Sequence, residues 1–294
     1  MKTITLKDKT SEVIIAPSIG GSVLAFNVDI DGVKRSILRD ASNAHSVHDS
    51  SCFPLVPYSN RIKAGKFDWL GETIQLPLNH RPEKHSIHGH GWQANWQVSG
   101  VTDNTAILTY QHDADEWSCA YLAEQTFTLE QGRLTISLSV KNMGNKDMPI
   151  GLGLHPYFTR TKLSCLKTDV DKMWAVDDEC LPTVIEQAPK SLSSSRGMSI
   201  NKNILDNALI NFKQEAEIIW PEWGVKADVL SSVNCSFLVV YSPKNQDFFC
   251  IEPVTHCTDA INMQAQGHNN TGLQWIKPDE IVDIWMEISA STIG

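Results

Sequence analysis

A histidine and a glutamate of this sequence stand in segments that could position an acid and a base. His155 lies in the glycine-containing run 151–158, directly before Pro156, which favours an extended backbone at the histidine. Glu252 ends the apolar run 248–251. A carboxylate at the end of a buried strand costs free energy unless it is paired or functional, and burial raises its pKa. We therefore expect the two residues to exchange protons near neutral pH.

Each of these residues also has an ordinary structural interpretation when it is taken alone. His155 could be a strand-end histidine that is satisfied by a neighbouring group, and Glu252 could reach solvent from the end of its strand. Arg61, within the run 57–62, could be a solvated surface charge. Because apolar and turn residues flank Arg61, its five donors could instead face inward toward hydroxyls or a carboxylate.

His85, His88 and His90 raise the possibility of a metal site, since His-x-His on a strand would point two imidazoles to one side. A metal site of this kind also needs an acidic ligand a few residues later, yet residues 93–95 are Gln, Ala and Asn. We therefore predict no metal and no cofactor. The glycines on either side of His90 are better explained by close approach of a ligand to His88.

Composition excludes several classes of partner. The 294 residues carry a formal net charge of −9, which argues against binding to nucleic acid or to anionic membranes. The chain has no apolar run of about 18 residues, and its first residues are too polar for a signal peptide. Seven scattered cysteines without a CxxC pair are typical of reduced, buried thiols. We expect a cytoplasmic protein that is a monomer or a homodimer.

Most of the chain reads as β-strands. Apolar and polar residues alternate along 121–129 and 133–140, with a turn between them, which predicts an antiparallel hairpin. Helical spacing occurs only within 204–212, and that segment stays ambiguous. Many strands without βαβ alternation predict a single all-β domain over 1–294, a large antiparallel β-sandwich. Further strands are predicted at 12–16, 22–28, 67–70, 73–76, 106–111, 217–220, 237–241, 248–252 and 282–288.

Taken together, these segments resemble the aldose 1-epimerase (galactose mutarotase) family over nearly the whole length of the chain. The ordered motifs that carry the resemblance are Asn60-Arg61-Ile62, His88-Gly89, His155-Pro156-Tyr157-Phe158, Leu205-Asp206-Asn207 and Glu252-Pro253. The resemblance implies a β-sandwich with an open, polar sugar cleft, and neither a metal nor an organic cofactor. Its expected activity is the interconversion of the α and β anomers of a free aldohexose.

The resemblance also implies a role for each site residue. Glu252 would act as the base and His155 as the acid, on opposite sides of the sugar ring, while His88 supports the ring oxygen. The expected substrate-binding residues are Asn60, Arg61 and Asp206, which would hold hydroxyls, and Trp92, which would stack on the apolar face of the sugar.

Three other functions remain open from the sequence. A mutarotase of hexose 6-phosphates would need further cations beside Arg61, and only Lys63 and Lys66 are near it in sequence. A non-catalytic sugar-binding protein could use the same fold, although the presence of His88, His155 and Glu252 argues against it. A cupin-like metalloenzyme is disfavoured by the missing acidic ligand.

Overall fold

Alternating apolar and polar residues form antiparallel strands along most of the chain in the computed structural model, which describes residues 2–294. The first thirteen strands are β1 Ile4–Lys7, β2 Ser11–Ala16, β3 Ser22–Ile30, β4 Val33–Ser36, β5 Cys52–Leu55, β6 Arg61–Ile62, β7 Lys66–Trp69, β8 Glu72–Gln75, β9 Ser86–Ile87, β10 Gln97–Val101, β11 Thr105–His112, β12 Tyr121–Glu130 and β13 Arg133–Asn142. The remaining strands are β14 Met148–Ile150, β15 Gly153–Thr159, β16 Cys165–Thr168, β17 Lys172–Val176, β18 Pro182–Gln187, β19 Met198–Ser199, β20 Asp206–Ile210, β21 Glu215–Trp220, β22 Val225–Ser231, β23 Phe237–Tyr241, β24 Phe248–Val254, β25 Gln274–Ile276 and β26 Ile281–Thr292.

Helical structure is confined to short segments. The α-helix α1 covers Ala260–Ala265, and single 3₁₀ turns cover Val47–Asp49, Lys63–Gly65, Gly91–Gln93, Lys190–Ser193, Ile200–Lys202 and Pro221–Trp223. Among residues 2–294, no helix has the length and apolar character that crossing a membrane requires. Within the same range the seven cysteines are all free thiols.

Two large sheets contain most of the strands. The 11-stranded sheet has the order β1-β2-β3-β5-β15-β24-β23-β20-β17-β18, with β4 paired to β3. The 9-stranded sheet has the order β10-β11-β12-β13-β26-β22-β21-β16-β19. Their facing sides share one apolar core, to which Phe26 and Ile251 contribute from the first sheet and Phe127 and Ile136 from the second. This arrangement confirms the predicted all-β antiparallel sandwich.

The larger sheet is also covered on its outer side. A second apolar cluster joins Phe53 of β5 and Val239 of β23 to Val47, Trp92 and Met263 from the covering segments. The central strands β5 and β24 are therefore buried on both faces along nearly their whole length. The site described next is built on this outer side.

The predicted hairpin and the ambiguous segment have different outcomes. β12 and β13 pair in continuous register from Tyr121↔Asn142 to Glu130↔Arg133, which confirms the hairpin. The segment 204–212 is not helical, because it contains β20, which pairs with β17 and β23 inside the larger sheet. Three consecutive residues of β20, Ala208 to Ile210, are buried, so its sequence shows no two-residue alternation.

Candidate active site

Strand register brings His155 and Glu252 together on the outer face of the larger sheet. Gly153 pairs with Val254 and Tyr157 with Cys250, so His155 of β15 lies opposite Glu252 of β24. The imidazole Nε2 is 3.3 Å from the carboxylate Oε1, and both side chains are buried. The expectation that they flank a sugar from opposite sides is wrong, because adjacent strands place them side by side on one floor.

The burial of this pair changes the protonation of both partners. Desolvation raises the pKa of Glu252 well above its ordinary value; the charge of Asp206 raises it further, and that of Arg61 opposes the rise. The pKa of His155 is lowered to about 3, mainly by burial and to a smaller extent by the positive charge of Arg39. Burial therefore favours the neutral form of both residues, with the proton of the pair on Glu252 rather than on His155.

His88 is held by the backbone of the segment that carries Asn60. The Asn60 amide donates to His88 Nδ1 at 3.1 Å, and the His88 amide donates to the Asn60 carbonyl at 2.9 Å. Because Nδ1 accepts a hydrogen bond, the neutral imidazole carries its hydrogen on Nε2. Burial is the main cause that lowers the pKa of His88 well below its ordinary value. The charges of His155 and Arg61 contribute to the lowering. His88 is thus a neutral Nε2–H donor beside the pair, with the ring centroids of His88 and His155 5.3 Å apart.

A buried histidine fixes the same segment from below. His256 Nδ1 donates to the Cys257 carbonyl at 2.6 Å, and its Nε2 accepts from the Ser59 amide at 3.2 Å. The ring occupies the space above Gly151, where an added Cβ would lie 1.5 Å from His256 Cδ2. The absence of a side chain at Gly151 therefore leaves room for the His256 ring. That ring in turn positions the residues from Ser59 onward.

Arg61 is surrounded by acceptors. Its Nε donates to Glu83 Oε2 at 3.1 Å, its Nη1 donates to Asn60 Oδ1 at 3.1 Å, and its Nη2 is 3.8 Å from Asp206 Oδ2. These four residues line a cavity of about 210 Å³ together with His88, His155 and Glu252. All seven residues predicted for the site thus border this one cavity, and six of them have side chains suited to binding hydroxyls or transferring protons.

Trp92, the seventh, requires a correction. Its side chain is 1% exposed and its indole N–H donates to the Gly89 carbonyl at 3.1 Å. The Phe53 ring packs on it at 5.5 Å, and the His88 ring meets it edge to face at 5.7 Å. Trp92 supports the cavity wall and does not offer an open face on which a sugar could stack.

Sequence reasoning missed several polar residues of the cavity, and three of them lie outside the strands. His48 and His80 stack with their centroids 4.5 Å apart at its wall, and Glu83 pairs with Arg61. All three lie outside the strands, in a 3₁₀ turn and in irregular segments, where no periodicity marks a residue that faces a site. Proximity to the recognised motifs in sequence would have been the only signal, and only for Glu83.

The donor sets that could hold a metal do not fit one. His88 lies in the cavity, whereas the His90 ring stacks on His112 at 4.2 Å with an interplanar angle of 3°. The disfavoured alternative in which His88 and His90 point to one side does not hold, because His88 and Gly89 both have positive φ, which breaks the strand. A metal lies near the plane of each imidazole that binds it, so parallel stacked rings do not converge on one ion.

The second donor set combines His155, Glu252 and Cys250. Burial is the main cause that raises the pKa of the Cys250 thiol well above its ordinary value, and the charge of Glu252 contributes to the rise. A protonated thiol is a poor ligand, and His155 and Glu252 already face each other directly. These residues therefore match proton transfer better than metal binding.

The comparisons with known proteins agree with this geometry. A family model described as aldose 1-epimerase matches residues 2–289. The uncharacterized protein YphB of Escherichia coli (strain K12) is 30% identical over 231 residues, 76% of this chain and 79% of that protein. A crystal structure of a proposed aldose 1-epimerase from Escherichia coli K12 has a TM-score of 0.88 and 26% identity, covering 99% of both chains. A galactose mutarotase-like protein from Clostridium acetobutylicum has a TM-score of 0.86 and 20% identity, covering 99% of this chain and 95% of that one. The chain belongs to the aldose 1-epimerase family.

Proposed function

We propose that this protein is an aldose 1-epimerase that interconverts the anomers of a free, uncharged aldohexose. The observation that carries the proposal is the buried pair of His155 Nε2 and Glu252 Oε1, 3.3 Å apart on the floor of the cavity. Anomerisation requires one proton to leave the C1 hydroxyl and one to reach the ring oxygen as the hemiacetal opens. Because those two oxygens share one carbon, an acid and a base placed side by side reach both.

In this mechanism Glu252 takes the proton of the C1 hydroxyl while protonated His155 gives a proton to the ring oxygen. The C1–ring oxygen bond breaks and an aldehyde forms at C1. Rotation about the C1–C2 bond and reclosure, with the two roles reversed, produce the other anomer. His88 donates from Nε2 to an oxygen next to the pair, and each acid or base contributes roughly 10²–10⁴-fold to the rate.

The pair needs only one proton throughout this cycle. Ring opening converts the carboxylate and imidazolium of the closed-sugar complex into a carboxylic acid and a neutral imidazole. Burial favours the neutral form of both residues, because burial raises the pKa of Glu252 and lowers that of His155. The buried environment therefore assists ring opening, and binding of the sugar must supply the free energy that forms the ion pair.

The charges of the cavity favour a neutral sugar over a hexose 6-phosphate. Arg61 is the one Lys or Arg among the described residues that line the cavity, and Glu83 and Asp206 flank it. Lys63 and Lys66 line a separate depression with Asp68 and Asn262. A phosphate dianion would therefore meet two carboxylates and a single cation that is already paired.

An anomer-exchange assay tests the proposal. Polarimetry or exchange NMR should be run on glucose, galactose and their 6-phosphates, each with and without EDTA. We expect catalysed exchange of a free aldose that EDTA leaves unchanged. A kcat/KM for glucose 6-phosphate ten times that for every free aldose would assign the phosphate substrate instead. Binding of a sugar without exchange on any aldose would support the non-catalytic alternative.

A further inference from the structure

Arg39 lies outside the cavity but is held rigidly beside it. Its Nε donates to the Ser50 carbonyl at 2.7 Å, and its Nη2 donates to the His48 carbonyl at 2.6 Å. The backbone is tied as well, because the Arg39 amide donates to the Tyr157 carbonyl at 2.8 Å. Within residues 2–294, no carboxylate forms an ion pair with this guanidinium, so its charge acts on the aromatic rings next to it.

Those rings connect Arg39 to the proton-transfer pair. The guanidinium carbon is 3.9 Å from the centroid of the Tyr157 ring and 4.7 Å from that of Phe248. The Tyr157 ring stacks on His155 with centroids 4.7 Å apart and an interplanar angle of 15°. Phe53 packs on His155 from a second direction at 4.5 Å. The imidazole is thus restrained by two rings, one of which is pressed by a cation.

We propose that Arg39 is a positioning residue, which holds Tyr157 against His155 and whose charge, together with burial, opposes imidazolium at His155. The inference rests on the proposed acid–base function and extends it to a residue that touches neither substrate nor reacting atoms. A fixed positive charge disfavours a second positive charge nearby, so it opposes imidazolium at His155. It therefore favours the neutral pair, which is also the state that follows ring opening.

The other charged and titratable groups around His155 also affect the protonation of its imidazole. Glu252 on β24 favours imidazolium when it is ionised, and the neighbouring thiols Cys52 and Cys250 are neutral because burial raises their pKa values. His88, whose ring lies beside that of His155, is neutral because burial lowers its pKa. Burial raises the pKa of the Tyr157 hydroxyl, which keeps that ring neutral. Arg39 is thus the fixed cation on this side of the imidazole.

The direct test measures where the proton resides, without any sugar. ¹⁵N NMR of the His155 imidazole, followed from pH 7 downward, distinguishes neutral nitrogen from imidazolium, and His155→Asn assigns the signal. In Arg39→Gln, which retains a donor for the Ser50 carbonyl, we expect imidazolium to appear at a higher pH than in the unsubstituted protein. Arg39→Lys restores the charge and should return this pH toward its original value.

Arg35→Gln is the matched control. The Arg35 guanidinium carbon lies 5.1 Å from the Trp223 centroid, a contact of the same type that is remote from the cavity. The control should leave the His155 titration unchanged. An unchanged titration in Arg39→Gln, or an equal change in Arg35→Gln, overturns the proposal. If Arg39→Gln does not fold, Arg39→Lys decides, because imidazolium that appears at a higher pH in that charge-retaining variant also overturns it.

Kinetics then separates positioning from simple stabilisation. In Arg39→Gln we expect kcat to fall by roughly 2- to 30-fold with KM unchanged, because the lost coupling acts through Tyr157 and not on the sugar. A raised KM with an unchanged kcat would contradict the proposed role. Because the NMR measurement needs no turnover, absence of anomerase activity and absence of an Arg39 effect are separate results.

Discussion

Glu252 and His155 face each other from neighbouring strands, with 3.3 Å between Oε1 and Nε2, and neither residue reaches bulk solvent. Adjacent central strands fix both backbones, so the contact does not depend on a flexible loop. The acid and the base that we propose are therefore held side by side before any substrate arrives. The predictions below begin with this contact.

Glu252→Gln should lower kcat by roughly 10²–10⁴-fold with little change in KM, because the amide retains shape but accepts no proton. Polarimetry on the preferred aldose measures both constants. Circular dichroism and thermal unfolding provide the control for folding. Near-full activity in a folded Glu252→Gln protein would falsify the proposed mechanism.

His155→Asn should cause a loss of similar size, and the double variant should be much less than multiplicatively worse. Base and acid act on the same ring opening, so removing either one stalls the same step. A double-variant cycle of kcat/KM values measures the coupling. Strictly additive free energies would show that the two residues act in separate steps.

The same carboxyl should limit stability above neutral pH. The folded-state pKa of Glu252 is raised, so the unfolded chain releases a proton that the folded chain retains. Stability is then lost as pH rises from the ordinary Glu value of 4.5 toward the folded-state pKa, at up to about 1.4 kcal/mol per unit. Glu252→Gln should therefore gain more unfolding free energy at pH 7.5 than at pH 4.5, as urea titrations at both values would show. An equal gain would contradict the raised pKa.

Glu83→Gln should increase activity on sugar phosphates relative to free sugars. The substitution removes one carboxylate from Arg61 and leaves its charge less compensated. For a part-buried pair worth about 1 kcal/mol, kcat/KM for glucose 6-phosphate relative to glucose should rise by about 3- to 10-fold. Arg61→Met provides the contrast, because it should raise KM for the neutral sugar as well. No change in the ratio would show that Glu83 does not govern phosphate rejection.

Gly151→Ala should disturb the site from beneath. The new Cβ would lie 1.5 Å from His256 Cδ2, so the ring must move and release the Ser59 amide. We expect a loss of roughly 1–3 kcal/mol in unfolding free energy, and a raised KM as the segment carrying Asn60 and Arg61 shifts. Gly100→Ala is the control, since its Cβ would come no closer than 3.8 Å to Ile107 Cδ1. Equal effects from both substitutions would refute the role of His256.

Strand alternation made much of the fold predictable from sequence. β12 and β13 each have one buried and one polar face, and their predicted bounds fall within two residues of the observed ones. β20 could not be recognised in the same way, because it is buried on both faces and Leu205, Ala208, Leu209 and Phe212 happen to follow helical spacing. Burial on two sides removes the signal on which the prediction depends.

The site was predictable only where side chains belong to ordered motifs. Asn60, Arg61, His88, His155, Asp206 and Glu252 all border the cavity. The burial of Trp92 could not be inferred, because its place depends on Phe53 and His48 from distant segments. His48 and His80 were missed for the same reason, since only the folded chain brings their rings into contact.

His155 and Glu252 stand on central strands, whereas Arg61, Glu83 and the stacked His48 and His80 come from the segments that cover them. Insertions, deletions and exchanges in covering segments disturb a core less than changes in its strands do. Under the proposed function, the sugar that is preferred can therefore change through the covering segments while the proton-transfer residues stay in place. Relatives that share the strand residues would then differ in substrate without differing in reaction.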